Sequence, residues 1–214
     1  MRLIYSIALV VNLLFSTVVR ADENTYSKPT IGLKITKPES WHWTTAAEVQ
    51  ENLERVQHND ESLDKLIKSR ATAPLVAMTK YKEPFDDLNP SVKLNVKPLV
   101  PSLSADDPVK ILEICMTPFS KAFADMKVVT KPKETELAGL KAAYTCIDYT
   151  LVTADGQEFP TRSRMWIVPR GKMFFMIGTG MRQDGRTGKR AELDKIIESI
   201  HIEPEAEAKQ PTGP

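Results

Sequence analysis

Residues 140–179 read LKAAYTCIDYTLVTADGQEFPTRSRMWIVPRGKMFFMIGT, and this stretch decides the fold class. It holds three segments rich in apolar, β-branched and aromatic residues, which span residues 140–152, 158–168 and 173–179. An Asp-Gly turn and a Pro-Arg-Gly turn separate them, so we predict three antiparallel strands in a meander. The third segment begins with the apolar run MFFMI, which predicts a central strand that is covered on both faces.

Strand patterns also occur outside the meander. Alternating apolar and polar residues predict strands at residues 30–36, 40–44, 75–82 and 92–100, with a further edge strand at 128–135. Alternation in the second of these places Trp41 and Trp43 on one face and His42 on the other. We expect the tryptophans to pack against the sheet, because tryptophan buries a large apolar area.

Four segments show helical spacing of apolar residues. They begin at Thr44 or Thr45, at Asn59 or Asp60, at Pro108 and at about Arg190. The third is predicted over residues 108–126 and contains Pro118, which should kink it. Helices packed on antiparallel strands predict an α+β sandwich, a central antiparallel sheet flanked by helices.

Residues 1–21 predict where the protein works. Arg2 precedes an apolar run, and Val19 and Ala21 occupy the −3 and −1 positions of a small-residue cleavage site, the pattern of a removable secretory signal. The run is short for a membrane anchor. We therefore predict a periplasmic or secreted protein without a transmembrane anchor after cleavage, with one domain over residues 22–203 and a disordered tail over 204–214.

Charge argues against one class of partner. The full chain has a formal net charge of +1, and removal of the signal with its two arginines leaves −1. A nucleic-acid-binding domain would show a strong basic excess, so we expect no nucleic-acid partner.

Three short pieces resemble the Mog1/PsbP-like fold, and within it the exported PsbP-like proteins of bacteria. They are KPESW at residues 37–41 after the opening strand, LAG at 137–139, and IIESI at 196–200. The resemblance covers roughly residues 29–203 and implies a central antiparallel sheet flanked by helices. It implies no single activity, since photosystem accessory proteins, a nuclear-transport factor partner, envelope proteins and secretion-effector chaperones share the scaffold. Its members mostly bind or assemble rather than catalyse.

Motifs for catalysis, metals and cofactors are missing from the sequence. His42, His58 and His201 show no zinc-ligand spacing, and no GxSxG occurs. Residues 178–190 lie between a strand and a helix but fail the P-loop pattern, because Gln183 stands where its first glycine belongs. We therefore expect no metal, no cofactor and no enzymatic activity; a hydrolase is the third hypothesis.

Cations cluster near this glycine-rich loop. A candidate contact for an acidic partner, or for an anionic surface, consists of Arg162, Arg164, Arg182, Arg186, Lys189 and Arg190. A solvated loop balanced by Asp184 and Glu192 is the alternative interpretation.

Two cysteines, Cys115 and Cys146, permit one disulfide in an oxidising compartment; two buried thiols are the alternative. Together these observations favour an exported, non-catalytic protein-binding or assembly module of the cell envelope with an unidentified envelope protein as partner. The alternative hypothesis is a carrier of a small or lipid-like ligand in a pocket between the sheet and the helix at 108–126.

Overall fold

The computed structural model describes residues 22–57 and 73–205. The predicted signal segment, the predicted helix that begins at Asn59 or Asp60, His58, and the tail from residue 206 onward lie outside the described residues. Strands and helices are numbered below in chain order.

Eight strands form one large antiparallel sheet. Its order is β3-β5-β6-β10-β9-β8-β4, and β7 also pairs with β8. The bounds are β3 His42–Trp43, β4 Val56–Gln57, β5 Val76–Thr79, β6 Ser91–Pro98, β7 Lys127–Leu137, β8 Leu140–Thr153, β9 Glu158–Arg170 and β10 Met173–Arg182. The predicted meander is confirmed as β8, β9 and β10, and the predicted edge strand as β7.

Three further strands form a second sheet, which shares no backbone ladder with the first. Its members are β1 (Thr25–Lys28), β2 (Leu33–Thr36) and β11 (His201–Ile202), with β2 in the middle. Of these three strands the sequence predicts only β2, and it places the start of β2 three residues too early. Residues 29–31 form a 3-10 turn instead, and Gly32 follows with a φ of 63°, a left-handed conformation that glycine adopts without steric cost.

Three helices complete the described fold: α1 (Ala46–Arg55), α2 (Pro108–Ala122) and α3 (Arg190–Glu198). The Thr45 hydroxyl caps α1 by accepting a hydrogen bond from the Glu48 amide at 3.2 Å, as the sequence predicts. The α2 helix ends four residues before its predicted end, because Phe123 takes an extended conformation. None of the helices in the described ranges has the length and hydropathy needed to span a membrane.

The two faces of the large sheet carry separate hydrophobic clusters. On one face, Phe175 and Ile177 of β10 pack with Leu193 and Ile196 of α3 and with residues of the small sheet. On the other face, Phe174 packs with α2 and with neighbouring strands. Because adjacent residues of β10 enter opposite clusters, this strand is buried on both faces, which confirms its predicted central position.

Candidate functional site

The sheet pleat separates the six predicted cationic residues. Arg162 lies opposite Met181, whereas Arg182 lies opposite Thr161. Side chains of directly paired residues share a face and neighbours along a strand alternate, so Arg162 and Arg182 leave opposite faces of the sheet. Arg164 and Arg190 lie in one cluster and Arg182 and Arg186 in another, while Arg162 and Lys189 belong to neither.

The first cluster, called the Asp194 cluster, consists of Arg164, Arg190 and Asp194. Nη1 of Arg164 donates to Oδ1 of Asp194, and Nε of Arg190 lies 3.4 Å from Oδ2 of the same carboxylate. The Arg164 side chain is 5 % exposed and the Arg190 side chain is 70 % exposed. Nη2 of Arg164 is buried and has no hydrogen-bond partner among the described residues.

Aromatic and polar contacts surround Arg164. Its guanidinium carbon lies 5.2 Å from the centre of the Trp166 ring, within cation–π range. Two residues away, Arg162 donates to both oxygens of Asp148, at 2.8 Å and 2.7 Å. The hydrogen bonds that Arg162 donates to Asp148 raise the pKa of Arg162.

The second cluster, called the Asp87 cluster, consists of Asp87, Arg182, Asp184 and Arg186. Asp87 accepts from Nη1 of Arg182 at 2.8 Å and from Nη2 of Arg186 at 2.6 Å. Arg182 also donates to Asp184 at 3.0 Å. Burial raises the pKa of Asp87, but hydrogen bonds from Arg186, the Leu88 amide and Arg182 outweigh burial, so the pKa lies below its ordinary value.

The predicted basic loop is held against residues 81–90. The Thr187 hydroxyl donates to the Leu88 carbonyl at 2.8 Å, and the Tyr81 hydroxyl donates to the Thr187 carbonyl at 2.9 Å. A methyl group added at Gly188 would lie 2.6 Å from Cγ of Pro90, so the backbones approach closely here. We call this set of contacts the loop clasp; because of it, the loop is anchored rather than free in solvent.

The two clusters differ in net charge. Two arginines share one aspartate in the Asp194 cluster, which leaves one positive charge. Two arginines face two aspartates in the Asp87 cluster, which leaves none. Lys189 is exposed, and its backbone amide donates to Glu192 at 2.8 Å.

Both cysteines are free thiols in the structure, so the permitted disulfide is not formed. Cys115 lies on α2 and packs against the cluster that contains Ile147, whereas Cys146 is adjacent to Ile147 on β8 and points to the other face of the sheet. The sheet therefore separates the thiols. Burial raises the pKa of each.

The interface between α2 and the sheet is filled by side chains. Ile111 and Leu112 are fully buried there, and the rings of Phe123 and Tyr149 stack with centres 4.1 Å apart. The described α2 interface therefore gives no support to the predicted ligand-carrier pocket.

A polar cleft of about 610 Å³ lies beside β3, and we call it the β3 cleft. Its lining comprises Glu23, Asn24, Lys37, Glu39, Trp41, His42, Trp43, Thr44, Glu48, Thr79, Lys82 and Glu83. Trp41 is 2 % exposed and packs in the core, as predicted, whereas Trp43 is only half-buried. Nothing in the sequence predicts this cleft, because three distant segments build it.

No group of three His, Cys, Asp or Glu side chains within residues 22–57 and 73–205 is arranged to hold a metal ion. His42 lines the β3 cleft and His201 is exposed on β11. Neither His42 nor His201 has a hydrogen bond to a serine or cysteine among the described contacts, so neither forms a Ser–His or Cys–His pair there.

No protein-family model matches the chain, and no curated protein matches it. Among solved structures, LpqN of Mycobacterium tuberculosis, described as involved in cell envelope biogenesis, is 12% identical over 80% of this chain and 83% of its own, with a TM-score of 0.50. Cyanobacterial PsbP (CyanoP) of Synechocystis sp. PCC 6803 is 11% identical over 84% and 91%, with a TM-score of 0.49.

The Ran-binding protein Mog1p of Saccharomyces cerevisiae is 8% identical over 80% of this chain and 90% of its own, with a TM-score of 0.43. The structure has an α+β fold, a central antiparallel sheet flanked by helices, so the predicted fold class is confirmed, and LpqN is similar to it in fold. Identities this low show the fold alone.

Proposed function

We propose that this chain is an exported, non-catalytic protein-binding or assembly module of the cell envelope. One observation carries the proposal: each cluster joins a buried arginine and an exposed arginine through a shared aspartate. Asp87 joins Arg182 to Arg186, and Asp194 joins Arg164 to Arg190.

This arrangement holds the exposed charges in place. Arg186 and Arg190 are 64% and 70% exposed, yet each contacts an aspartate that a buried guanidinium already orients. Ordering a long side chain on binding costs about 0.5–1.5 kcal/mol, and a preorganised side chain avoids part of that loss. Fixed exposed cations are therefore suited to recognising an acidic protein surface.

The proposed contact keeps four of the six predicted residues. Arg162, Arg186, Lys189 and Arg190 are partly or largely exposed, and we call these four side chains together the cationic surface, although Arg186 and Arg190 belong to separate clusters. Arg164 and Arg182 act as anchors, since their side chains are 5 % and 9 % exposed. A partner would meet the cationic surface with carboxylates.

The proposal that the protein is exported rests on the predicted signal at residues 1–21 and not on similarity to another protein. LpqN is described as involved in cell envelope biogenesis, and its fold is similar to that of this chain. Because one fold serves many functions, that similarity is one of fold, and the envelope assignment needs the experiment below.

Crosslinking in intact cells tests the proposal. The tagged protein is expressed with its own signal, crosslinked mildly, and purified from the envelope fraction. We expect one stoichiometric protein to co-purify, and we expect Arg186→Glu/Arg190→Glu to abolish its recovery. Arg182 is left unchanged, because reversing a buried charge would disturb the fold.

The matched control is Lys110→Glu/Lys121→Glu, which makes the same change of charge on exposed positions of α2. If the partner is recovered equally with both double variants, the cationic surface is not the binding contact. Binding of the purified protein to phosphatidylglycerol vesicles, with no protein partner recovered, would replace the protein-binding proposal with an anionic lipid surface.

A further inference from the structure

The terminal strand β3 leaves part of its backbone without a partner. Trp43 lies opposite Met78 of β5, and the next amide, that of Thr44, donates to the Ala77 carbonyl at 2.9 Å. Bonded and non-bonded pairs alternate along an antiparallel ladder. The pair of Trp43 and Met78 is therefore non-bonded, and the N–H and C=O of Trp43 point away from β5.

Neither of these two backbone groups has a hydrogen-bond partner among the residues that the structure describes. A sheet edge with an open N–H and C=O is a template for another strand. A single residue of an extended peptide can bond to both groups at once, since a bonded antiparallel pair exchanges both hydrogen bonds.

Trp43 and its neighbours His42 and Thr44 line the β3 cleft. Its lining reaches from Thr79 of β5 to Glu23, whose backbone carbonyl accepts a hydrogen bond from Nε1 of Trp43 at 2.8 Å. A volume of about 610 Å³ falls in the range of roughly 300–1,000 Å³ that is usual for ligand sites. The half-buried Trp43 ring offers an apolar surface for an incoming side chain.

The charges in the cleft favour a cationic occupant. Four glutamates and two lysines line it, and these six side chains carry two more negative than positive charges. Glu48 is engaged by Thr45, and Glu83 accepts hydrogen bonds from the Phe85 amide and from Asn89.

The remaining two carboxylates are available. Glu23 and Glu39 are exposed, and neither side chain has a hydrogen bond or ion pair within residues 22–57 and 73–205. Lys37 does not neutralise them by direct contact, because its ammonium group donates to Asn24 at 2.7 Å and lies 5.7 Å from the centre of the Trp43 ring.

We propose that the β3 cleft binds an extended segment of a partner protein that carries lysine or arginine side chains. The segment pairs through its backbone with Trp43, and its cationic side chains contact Glu23 and Glu39. This site goes beyond the proposed function, because it uses a separate surface of opposite charge and does not depend on the cationic surface.

The test uses the full mature chain and an acetylated, amidated heptapeptide of alternating lysine and valine. Calorimetry measures binding, and NMR-detected hydrogen exchange follows the Trp43 amide. We expect the peptide to bind and to slow exchange at Trp43. Glu23→Lys/Glu39→Lys should weaken binding at least about tenfold, because each reversal replaces an attraction by a repulsion.

Two controls separate the site from general electrostatic attraction. Glu113→Lys/Glu198→Lys makes the same charge change at exposed positions outside the cleft and should leave affinity within about twofold. The variant Arg186→Glu/Arg190→Glu should also bind the peptide, so the two proposals fail independently.

Several results would overturn the proposal: no binding, equal binding of a peptide with glutamate in place of lysine, or unchanged exchange at Trp43. Slow hydrogen exchange at the Trp43 amide in the protein without peptide would also overturn the proposal. If that protection is independent of concentration, a segment of the chain itself covers the edge; if it grows with concentration, a second copy does.

Discussion

The carboxylate of Asp87 accepts a hydrogen bond at 2.8 Å from Nη1 of Arg182, although the two residues are 95 positions apart in the chain. Their side chains are 20 % and 9 % exposed. Removing one partner of a pair so far from solvent leaves the other charge poorly compensated. Asp87 therefore contributes to stability as well as to the position of Arg186.

Replacing Asp87 with asparagine should destabilise the protein. We expect Asp87→Asn to lower the free energy of unfolding by about 2 kcal/mol, because Arg182 keeps only Asp184 as an ionic partner. Urea denaturation measures the change. Asp184→Asn is the control and should have the smaller effect, since the Asp184 side chain is 50% exposed. Equal losses would contradict the assignment.

The same pair predicts sensitivity to acid. The pKa of Asp87 is lowered in the folded protein, so the unfolded chain binds more protons as the pH falls below the ordinary aspartate pKa of about 3.9. The contribution of Asp87 is fully present above that value and is lost as the pH falls through the folded-state pKa. The stability difference between wild type and Asp87→Asn should therefore be largest above about pH 5 and shrink as the pH falls below about 3.9. A constant difference would contradict this.

The Asp194 cluster predicts unequal effects of its members. Asp194→Asn should cost about 2–3 kcal/mol, because Arg164 would keep a buried charge without a carboxylate. Arg190→Gln should change stability by less than about 0.5 kcal/mol, since its side chain is 70 % exposed and its contact is 3.4 Å long. Thermal unfolding of both variants tests this order, and a larger loss for Arg190→Gln would reverse it.

The close approach in the loop clasp predicts a steric effect. Gly188→Ala should destabilise by about 1–2 kcal/mol, because the new methyl group meets the rigid ring of Pro90 at 2.6 Å. Gly178→Ala serves as the control: among the described residues, its two chain neighbours apart, no heavy atom lies within 4 Å of the added carbon, so we expect no loss. Similar melting temperatures for the two variants would show that the clasp yields to the methyl group.

The separated thiols predict the reactivity of the native protein. Burial raises the pKa values of Cys115 and Cys146, and the thiolate is the reactive form. Iodoacetamide should label both more slowly than in the urea-unfolded chain, with half-buried Cys115 before buried Cys146, and faster as the pH rises. Mass spectrometry follows the labels. Two unreactive cysteines that become reactive only after reduction would show a disulfide instead.

Local sequence signals predict the regular elements well. The Thr45 cap locates α1, and Asp107 followed by Pro108 locates the start of α2, because capping acts between residues close in the chain. The strands β1 and β11 escape prediction, since four and two residues carry too little periodicity. Their pairing with β2 joins opposite ends of the sequence, which no local pattern encodes.

The site is predicted in its residue types but not in its geometry. Arg162 and Arg164 look alike in the sequence, yet α3 buries Arg164 through Asp194 and leaves Arg162 partly exposed. Likewise, nothing near residue 87 in the sequence indicates that its carboxylate holds Arg182. Burial and counter-charges come from distant elements, so the sequence overstates the basic surface.

The central position of β2 in the small sheet makes the molecule suited to circular permutation. Because β1 and β11 flank β2, strand spacing and rise place Thr25 and Ile202 about 15 Å apart. A short flexible linker spans that distance. The hairpin turn at Ala138 and Gly139, whose φ values are 54° and 74°, offers a place for new termini between β7 and β8. A permutant with the present ends joined and the chain cut at this turn would keep both sheets, and its two new termini would lie side by side, so it could be inserted into another protein as a single module.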